Sequence, residues 1–171
     1  MKHEPGALKN NKFKGVAPMG RIISISNQKG GVGKTTTAMN LATAMAACGH
    51  KVLIIDLDPQ GNTTTGFGVE KIGDRPSVYN VLHGEATPLE AVIETEVPNL
   101  HFIPANMDLA GAEVELVSAI AREYKLKNAL DKVKEEYDFI FIDCPPSLGL
   151  LTVNALTAST DIMVPVQCEF F

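Results

Sequence analysis

Apolar residues form short runs along this chain, and most of the runs are apolar throughout rather than alternating with polar residues. Continuous apolar runs of this length are typical of strands buried on both faces, as in a parallel sheet covered by helices. The pattern therefore predicts a central parallel sheet. Its strands are expected at 22–26, 52–56, 100–104, 139–143 and 162–166.

Between these runs, apolar residues recur at helical spacing. In the first such segment, 35–48, Ala38, Leu41 and Met45 share one face, and the segment stops at Gly49. Strands that alternate with helices predict an α/β fold, in which a doubly wound parallel sheet carries helices on both faces and binds its ligand at the carboxyl ends of the strands. Further helices are expected at 77–82, 89–94, 108–135 with a break, and 150–158.

The first 20 residues show neither an apolar run nor apolar residues at helical spacing, and they are predicted to be a disordered leader. They contain several lysines among Asn, Gly and Pro, so a basic arm that contacts nucleic acid is the alternative. Residues 21–171 are predicted to be one domain, since 45% hydrophobic content suffices for a single core. Because the last predicted strand leads directly to Phe170 and Phe171, we expect this part to be the N-terminal portion of a longer domain, with an incomplete sheet.

Composition narrows the function class. A net charge of −5 argues against nucleic-acid binding by the whole surface and leaves room for a local basic patch. The three cysteines, Cys48, Cys144 and Cys168, are widely spaced and odd in number, which favours a reducing cytoplasm over a disulfide framework or a zinc cluster. No apolar run reaches the length of a membrane span. We therefore expect a cytoplasmic protein that does not bind the membrane.

A glycine-rich loop lies between the first predicted strand and the first predicted helix. Residues 29–36 read Lys-Gly-Gly-Val-Gly-Lys-Thr-Thr. The glycines allow several backbone N–H groups to face one anion, Lys34 adds a positive charge for the β and γ phosphates, and Thr35 offers a hydroxyl to Mg²⁺. The N-terminus of the following helix adds a favourable dipole. The expected ligand is a nucleoside triphosphate with Mg²⁺.

This loop departs from the general phosphate-binding pattern. Gln28 stands where that pattern has its first glycine, and a second lysine, Lys29, precedes the glycine pair. The second lysine supplies more positive charge than one γ-phosphate needs. We therefore hypothesise that Lys29 serves a phosphate bound by a facing copy of the protein.

Two predicted buried strands end in carboxylates. Asp56 ends one strand, with Asp58 two residues later, and Asp143 ends another. Acids at strand ends beside a phosphate loop can hold Mg²⁺ and orient a water in line with the γ-phosphate. Only one acid of the Asp56 and Asp58 pair is expected to face the nucleotide, and Asp143 is expected to hold Thr35 and a metal-bound water. Each acid taken alone could instead cap the next helix.

Taken together, these motifs resemble the ParA/Soj family of chromosome- and plasmid-partitioning ATPases. The resemblance covers residues 21–171 and implies a P-loop NTPase-type fold. It also implies a slow ATPase that dimerises with ATP and separates on hydrolysis. The segments that carry it are the loop with Lys29, residues 56–62, residues 143–147 and residues 164–167.

The resemblance assigns roles to individual residues. Lys34 binds the β and γ phosphates, Lys29 reaches the partner's nucleotide across a sandwich dimer, and Asp58 positions the attacking water. Asp143 supports the metal, and Glu169 contacts ribose across the dimer. The implied catalytic residues are Lys29, Lys34 and Asp58; the metal residues are Thr35, Asp58 and Asp143; the nucleotide-binding residues are Lys29, Gly30, Gly31, Val32, Gly33, Lys34, Thr35, Thr36 and Glu169.

The resemblance also implies partners and a location. These are a second copy of the chain, a ParB-type centromere-binding protein and, in full-length members, non-specific DNA, which places such proteins at the nucleoid within the cytoplasm. Family members continue beyond residue 171 with segments that hold adenine and carry basic surface. DNA binding and turnover are therefore open for this chain, as is the choice between chromosome and plasmid.

Other functions share the loop. One alternative is a nucleotide-gated binding module that binds ATP or a partner without turnover. Another is a MinD-like septum-placement ATPase, although the turn at 59–62 favours partitioning. Nitrogenase iron proteins also carry this loop, but the three cysteines do not match the positions of their cluster ligands.

Overall fold

The computed structural model describes residues 20–69 and 75–168. The predicted leader, apart from Gly20, and the predicted ribose contact Glu169 lie outside the described residues.

A single mixed sheet forms the centre of the described chain. Its strands are β1 (Arg21–Ile25), β2 (Val52–Asp56), β3 (Ile93–Glu94), β4 (Leu100–Ile103), β5 (Phe139–Asp143) and β6 (Asp161–Met163). They lie in the order β3-β4-β2-β5-β1-β6, and every neighbouring pair is parallel except β3 with β4. The predicted α/β fold with a parallel sheet is confirmed.

Helices cover both faces of the sheet. Successive side chains of a strand point to opposite faces, so one strand contributes to an apolar cluster on each side. Leu53 and Ile55 of β2 pack in one apolar cluster, whereas Val52 and Ile54 pack in the other. The helices are α1 (Lys34–Ala47), α2 (Asn62–Gly66), α3 (Val78–His83), α4 (Pro88–Ala91), α5 (Leu109–Glu115), α6 (Lys125–Leu130) and α7 (Leu150–Ala158). The cluster with Leu53 includes residues of α3, α5, α6 and α7, and the cluster with Val52 includes residues of α1.

The register of the central strands positions the site. Ile25 at the end of β1 pairs with Asp143 of β5, and Asp143 pairs with Asp56 of β2. Parallel strands end at the same edge of a sheet, so both carboxylates lie beside the loop that follows β1.

Two predicted elements are corrected, and a third is confirmed. The helix predicted at 89–94 ends at Ala91, and the next residues form β3, which pairs antiparallel with β4. The break predicted within 108–135 is confirmed: the segment is divided into α5, α6 and 3-10 turns, since Ala119 has an extended backbone and Ala121 has a positive φ. The final strand, predicted as buried over 162–166, is β6 at an edge of the described sheet, and Ile162 is 58% exposed.

Helix α2 was not predicted. Its sequence is Asn-Thr-Thr-Thr-Gly, which has no apolar period, and it follows Gly61 in a left-handed conformation. None of the helices in the described part of the chain is long and apolar enough to cross a membrane.

Candidate functional site

The glycine-rich loop connects β1 to α1 through a tight turn. Gly31 has a φ of 74° and Gly33 a φ of 89°, a region that glycine adopts without a steric penalty. Asn27 holds the loop at its start, since its side chain accepts the N–H of Lys29 at 2.9 Å and donates to the carbonyl of Pro165 at 2.8 Å. The first turn of α1 contains no acid, so its positive end is available to an anion.

An open cavity of about 370 Å³ lies at this loop. The structure thereby brings together the glycine loop, the segment after β2 and the segment after β5, as the motifs predicted. Three predicted residues of the described chain do not line the cavity: Val32 is buried, Lys29 is exposed, and Asp143 is fully buried and hydrogen-bonded to Thr35, which does line it. The lining residues are Gly30, Gly31, Gly33, Lys34, Thr35, Thr36, Asp58, Gln60, Asn62 and Pro146.

Lys34 carries a positive charge into a largely buried position. The residue is only 8% exposed, and its ammonium lies 3.5 Å from the backbone carbonyl oxygen of Lys29. A buried ammonium is costly unless a negative group or several hydrogen bonds accompany it. An anion in the cavity would supply that negative charge.

Asp143 joins the loop to helix α2. Its Oδ2 accepts hydrogen bonds from the hydroxyls of Thr35 and Thr63, each at 2.7 Å. Its Oδ1 is buried and has no hydrogen-bond partner among the described residues. Burial raises the pKa of Asp143, and the charge of Asp58 raises it as well, whereas the two hydroxyl bonds and the charge of Lys34 lower it.

These oxygens fit a hard divalent cation such as Mg²⁺. Thr35, Asp58 and Asp143 offer only oxygen atoms, the ligand type that Mg²⁺ prefers. The hydroxyl of Thr35 donates its proton to Asp143 and so keeps its lone pairs for a cation. The unpaired Oδ1 of Asp143 can accept a hydrogen bond from a metal-bound water. The chemistry of this corner of the cavity therefore suits the predicted metal.

Asp56 and Asp58 lie in different surroundings, a distinction that the motif residues alone left open and that the resemblance implied. Asp56 is fully buried, and its carboxylate accepts the N–H and the hydroxyl of Thr64 and the N–H of Asp58. Burial raises the pKa of Asp56 to about 6, although these hydrogen bonds oppose the shift. Asp58 lines the cavity, and its Oδ1 accepts the N–H of Gln60 at 2.9 Å. Asp56 thus holds the backbone of the acid that faces the ligand.

Sequence reasoning missed several residues that shape the site. Asn27 has no role in the predicted site, although it lies two residues before the loop. Gln167 was noted only as part of a motif, yet its side chain donates to the carbonyl of Gly31 at 3.0 Å. Thr63 stands in a run of three threonines, and nothing in the sequence distinguishes it from Thr65, which is exposed.

Comparison with known proteins gives a consistent result. Residues 20–171 match a family model described as an AAA domain. The sporulation initiation inhibitor protein Soj of Bacillus subtilis is 56% identical over 153 residues, which are 90% of this chain and 60% of that protein. The chromosome partitioning protein ParA of Caulobacter vibrioides is 54% identical, with 88% of this chain and 57% of that protein covered. The chain therefore spans about three fifths of the length of these relatives.

Solved structures with the same fold include nucleotide complexes. Cobyrinic acid a,c-diamide synthase from Mycobacterium smegmatis with bound ADP and magnesium has a TM-score of 0.85 and 47% identity, covering 89% of this chain and 62% of that one. An ATP complex of a McdA variant from Cyanothece has a TM-score of 0.82 and 29% identity, with coverage of 86% and 56%. A plasmid partition protein from Borrelia burgdorferi has a TM-score of 0.80 and 33% identity, with coverage of 87% and 66%.

Proposed function

The chain belongs to the ParA/Soj family of AAA-domain partitioning ATPases, and from this premise we propose that it is an ATP-driven dimerisation switch for the partitioning of a chromosome or plasmid. The observation that carries this proposal is the cavity in which a glycine loop, the buried Lys34 and the Thr35–Asp143 hydrogen bond meet. The Soj and ParA relatives and the complexes with ADP, ATP and magnesium support the choice of ligand.

Binding of ATP follows from the cavity's lining. The loop N–H groups and the ammonium of Lys34 would contact the β and γ phosphates, and the N-terminus of α1 would add its dipole. Mg²⁺ would be held by the Thr35 hydroxyl and the carboxylates of Asp58 and Asp143, directly or through water. When bound, the cation neutralises charge on the β and γ phosphates.

Hydrolysis requires a water held in line with the γ-phosphate, and Asp58 is the residue that we assign to this task. Its carboxylate lies on the cavity wall and accepts the N–H of Gln60, while Asp56 accepts the backbone N–H of Asp58. A carboxylate held in this way can accept a hydrogen bond from the attacking water. Lys34 and the loop N–H groups would stabilise the negative charge on the γ-phosphate oxygens in the transition state.

Dimerisation is assigned to Lys29. This residue is exposed and stands at the start of the glycine loop, outside the cavity of its own chain. In a sandwich of two chains it would contact the phosphates bound by the other chain, so that ATP links the copies and hydrolysis releases them. A ParB-type protein, non-specific DNA in the full-length form and a nucleoid location in the cytoplasm complete the proposal, with residues 21–171 as one ATPase domain.

A pair of variants tests the assignment. Lys34→Ala should abolish ATP binding measured by calorimetry. At saturating Mg²⁺, Asp58→Ala should keep ATP binding within several-fold and lower phosphate release by roughly 10² or more, the scale of a lost catalytic group. Glu135→Ala, which removes an exposed acid, serves as the control.

The outcomes separate the competing functions. Equal loss of binding and turnover in Asp58→Ala would contradict the division of roles. A wild-type protein that binds ATP and releases no phosphate would instead favour the nucleotide-gated binding module.

A further inference from the structure

The segment 144–149, between β5 and α7, forms one wall of the nucleotide cavity through Pro146. Its far end is Gly149, the N-cap residue of α7. Gly149 has a φ of −78° and a ψ of −174°, a conformation open to every residue type. Backbone conformation therefore does not explain the glycine at this position.

Close approach of a carboxylate does explain it. A Cβ at position 149 would lie 1.9 Å from Oε1 of Glu113 and 2.7 Å from its Oε2, far inside van der Waals contact. The same Oε1 accepts the N–H of Leu151 in the first turn of α7, at 3.3 Å. The absence of a side chain at Gly149 thus leaves room for an acid from α5 to cap α7.

Both partners of this contact are held by the core. Leu109, Ala112 and Leu116 anchor α5 and the following turn in the larger apolar cluster, so that Glu113 is presented from a fixed backbone. On α7, Leu151 lies in the same cluster.

A second contact holds residues 144–149 against α7. The hydroxyl of Thr152 donates to the carbonyl of Ser147 at 2.6 Å. Residues 144–149 are therefore hydrogen-bonded to the first turn of α7, and Glu113 links that turn to α5 by a second hydrogen bond. An acid near a helix N-terminus is also favoured by the helix dipole and satisfies a backbone N–H that has no partner within the helix.

We propose that Glu113 is a positioning residue of the nucleotide site. It acts through the first turn of α7 to hold residues 144–149, and with them Pro146, in the arrangement that receives the nucleotide. The effect on turnover rests on the proposed ATPase function, whereas the effects on the segment itself and on ADP binding do not.

The first test measures the segment without requiring hydrolysis. In nucleotide-free protein, Glu113→Ala should speed hydrogen exchange of the Leu151 amide by about tenfold or more, because the amide loses its acceptor. Affinity for ADP with Mg²⁺ should fall by about tenfold. If turnover is present, KM should rise while kcat stays within about threefold, since Lys34 and Asp58 are unchanged.

Matched variants separate positioning from a general loss of structure. Glu113→Gln keeps an oxygen acceptor of the same reach and should restore most of the protection and the ADP affinity. Glu115→Ala removes an exposed acid of the same helix that contacts α3 instead, and should leave the Leu151 amide unchanged. Glu113→Asp, which is too short to reach Leu151, replaces the alanine variant if that variant does not fold.

A double-mutant cycle tests the steric part. Gly149→Ala in the wild type should displace the Glu113 carboxylate from the Leu151 amide and weaken ADP binding by about tenfold, the same loss as in Glu113→Ala. In the Glu113→Ala background the same substitution should cost at most about twofold, because the obstructing group is gone, so the two effects are not additive.

Two results would overturn the proposal. One is an unchanged exchange rate at Leu151 in the alanine or aspartate variant of Glu113. The other is a Gly149→Ala effect that is equally large with and without Glu113. Failure of the wild type to hydrolyse ATP would contradict the proposed ATPase function and leave the proposal for Glu113 unaffected, because the hydrogen-exchange and ADP-affinity measurements would still decide the role of Glu113.

Discussion

Replacing Thr63 by valine removes one hydroxyl beside the nucleotide cavity and keeps the shape of the side chain. In the wild type this hydroxyl donates to Oδ2 of Asp143 at 2.7 Å, and both residues are fully buried. Thr35 donates to the same oxygen, so the variant leaves Asp143 with one of its two hydroxyl donors. The substitution therefore changes the support of Asp143 without touching a proposed metal ligand.

The size of the effect follows from the charge of the acceptor. A hydrogen bond to a charged group contributes about 1.5–3 kcal/mol, so the free energy of unfolding should fall by that amount. The pKa of Asp143 should rise further, because a hydroxyl bond that lowers it against burial is lost. Loss of a partner that orients a metal-holding group typically weakens metal binding by about 10–100-fold. We expect the Mg²⁺ concentration needed for ATP binding to rise by this factor.

Two measurements check the prediction. A Mg²⁺ titration of the fluorescence of a bound ATP analogue gives the metal requirement, and urea denaturation without nucleotide gives the free energy of unfolding. Thr65→Val is the matched control, since it makes the same change at an exposed position of the same short helix and should alter neither value.

The reasoning would be refuted by a specific result. If Thr63→Val unfolds more easily but keeps the wild-type Mg²⁺ requirement within about twofold, below the range expected for a lost orienting partner, Asp143 does not lie in the surroundings of the metal. If stability is also unchanged, the hydrogen bond between Thr63 and Asp143 contributes little.

Two further predictions concern the dimer and the response to acid. Lys29→Ala should keep ATP on a monomer and lose the ATP-dependent increase in mass seen by light scattering; a variant that still dimerises with ATP would return Lys29 to the role of a surface lysine. His101 hydrogen-bonds the Tyr137 hydroxyl at 2.8 Å, and burial followed by the charge of Lys51 lowers its pKa below 6.5. The stabilising contribution of neutral His101 is present above that value and is lost as pH falls through the lower pKa of the folded state, because the unfolded chain then binds the proton more readily. Urea titrations between about pH 7 and about pH 5 should therefore show a steeper loss of stability in wild type than in His101→Gln, and equal slopes would contradict the assignment.

The sequence by itself determined the parallel strands of the sheet and the loop that lines the candidate site. Continuous apolar runs indicate strands that are buried on both faces. Strands β2 and β5 lie at the predicted residues because the consecutive apolar residues of each run indicate its burial without reference to the rest of the chain. The glycine loop is equally local, since its conformation depends on residues next to one another. Parallel strands end at one edge, so the approach of Asp143 to that loop followed from the order of the motifs.

Only the tertiary structure decided which side chains meet. The strand pattern does not distinguish Asp56 from Asp58, and the choice of Asp58 came only from the resemblance; in the structure Asp56 faces Thr64 inside the protein and Asp58 faces the cavity. Thr63 contacts Asp143 across 80 positions of chain, whereas the neighbouring Thr65 is exposed. No local pattern encodes such a choice.

The contact between Glu113 and Gly149 shows the same limit. Gly149 has a backbone conformation open to every residue type, and the group that a Cβ there would displace is a carboxylate on another helix. The antiparallel β3 likewise depends on how its segment packs against the sheet. A sequence records burial and backbone preference residue by residue, while contacts between distant side chains exist only once the helices and strands have packed.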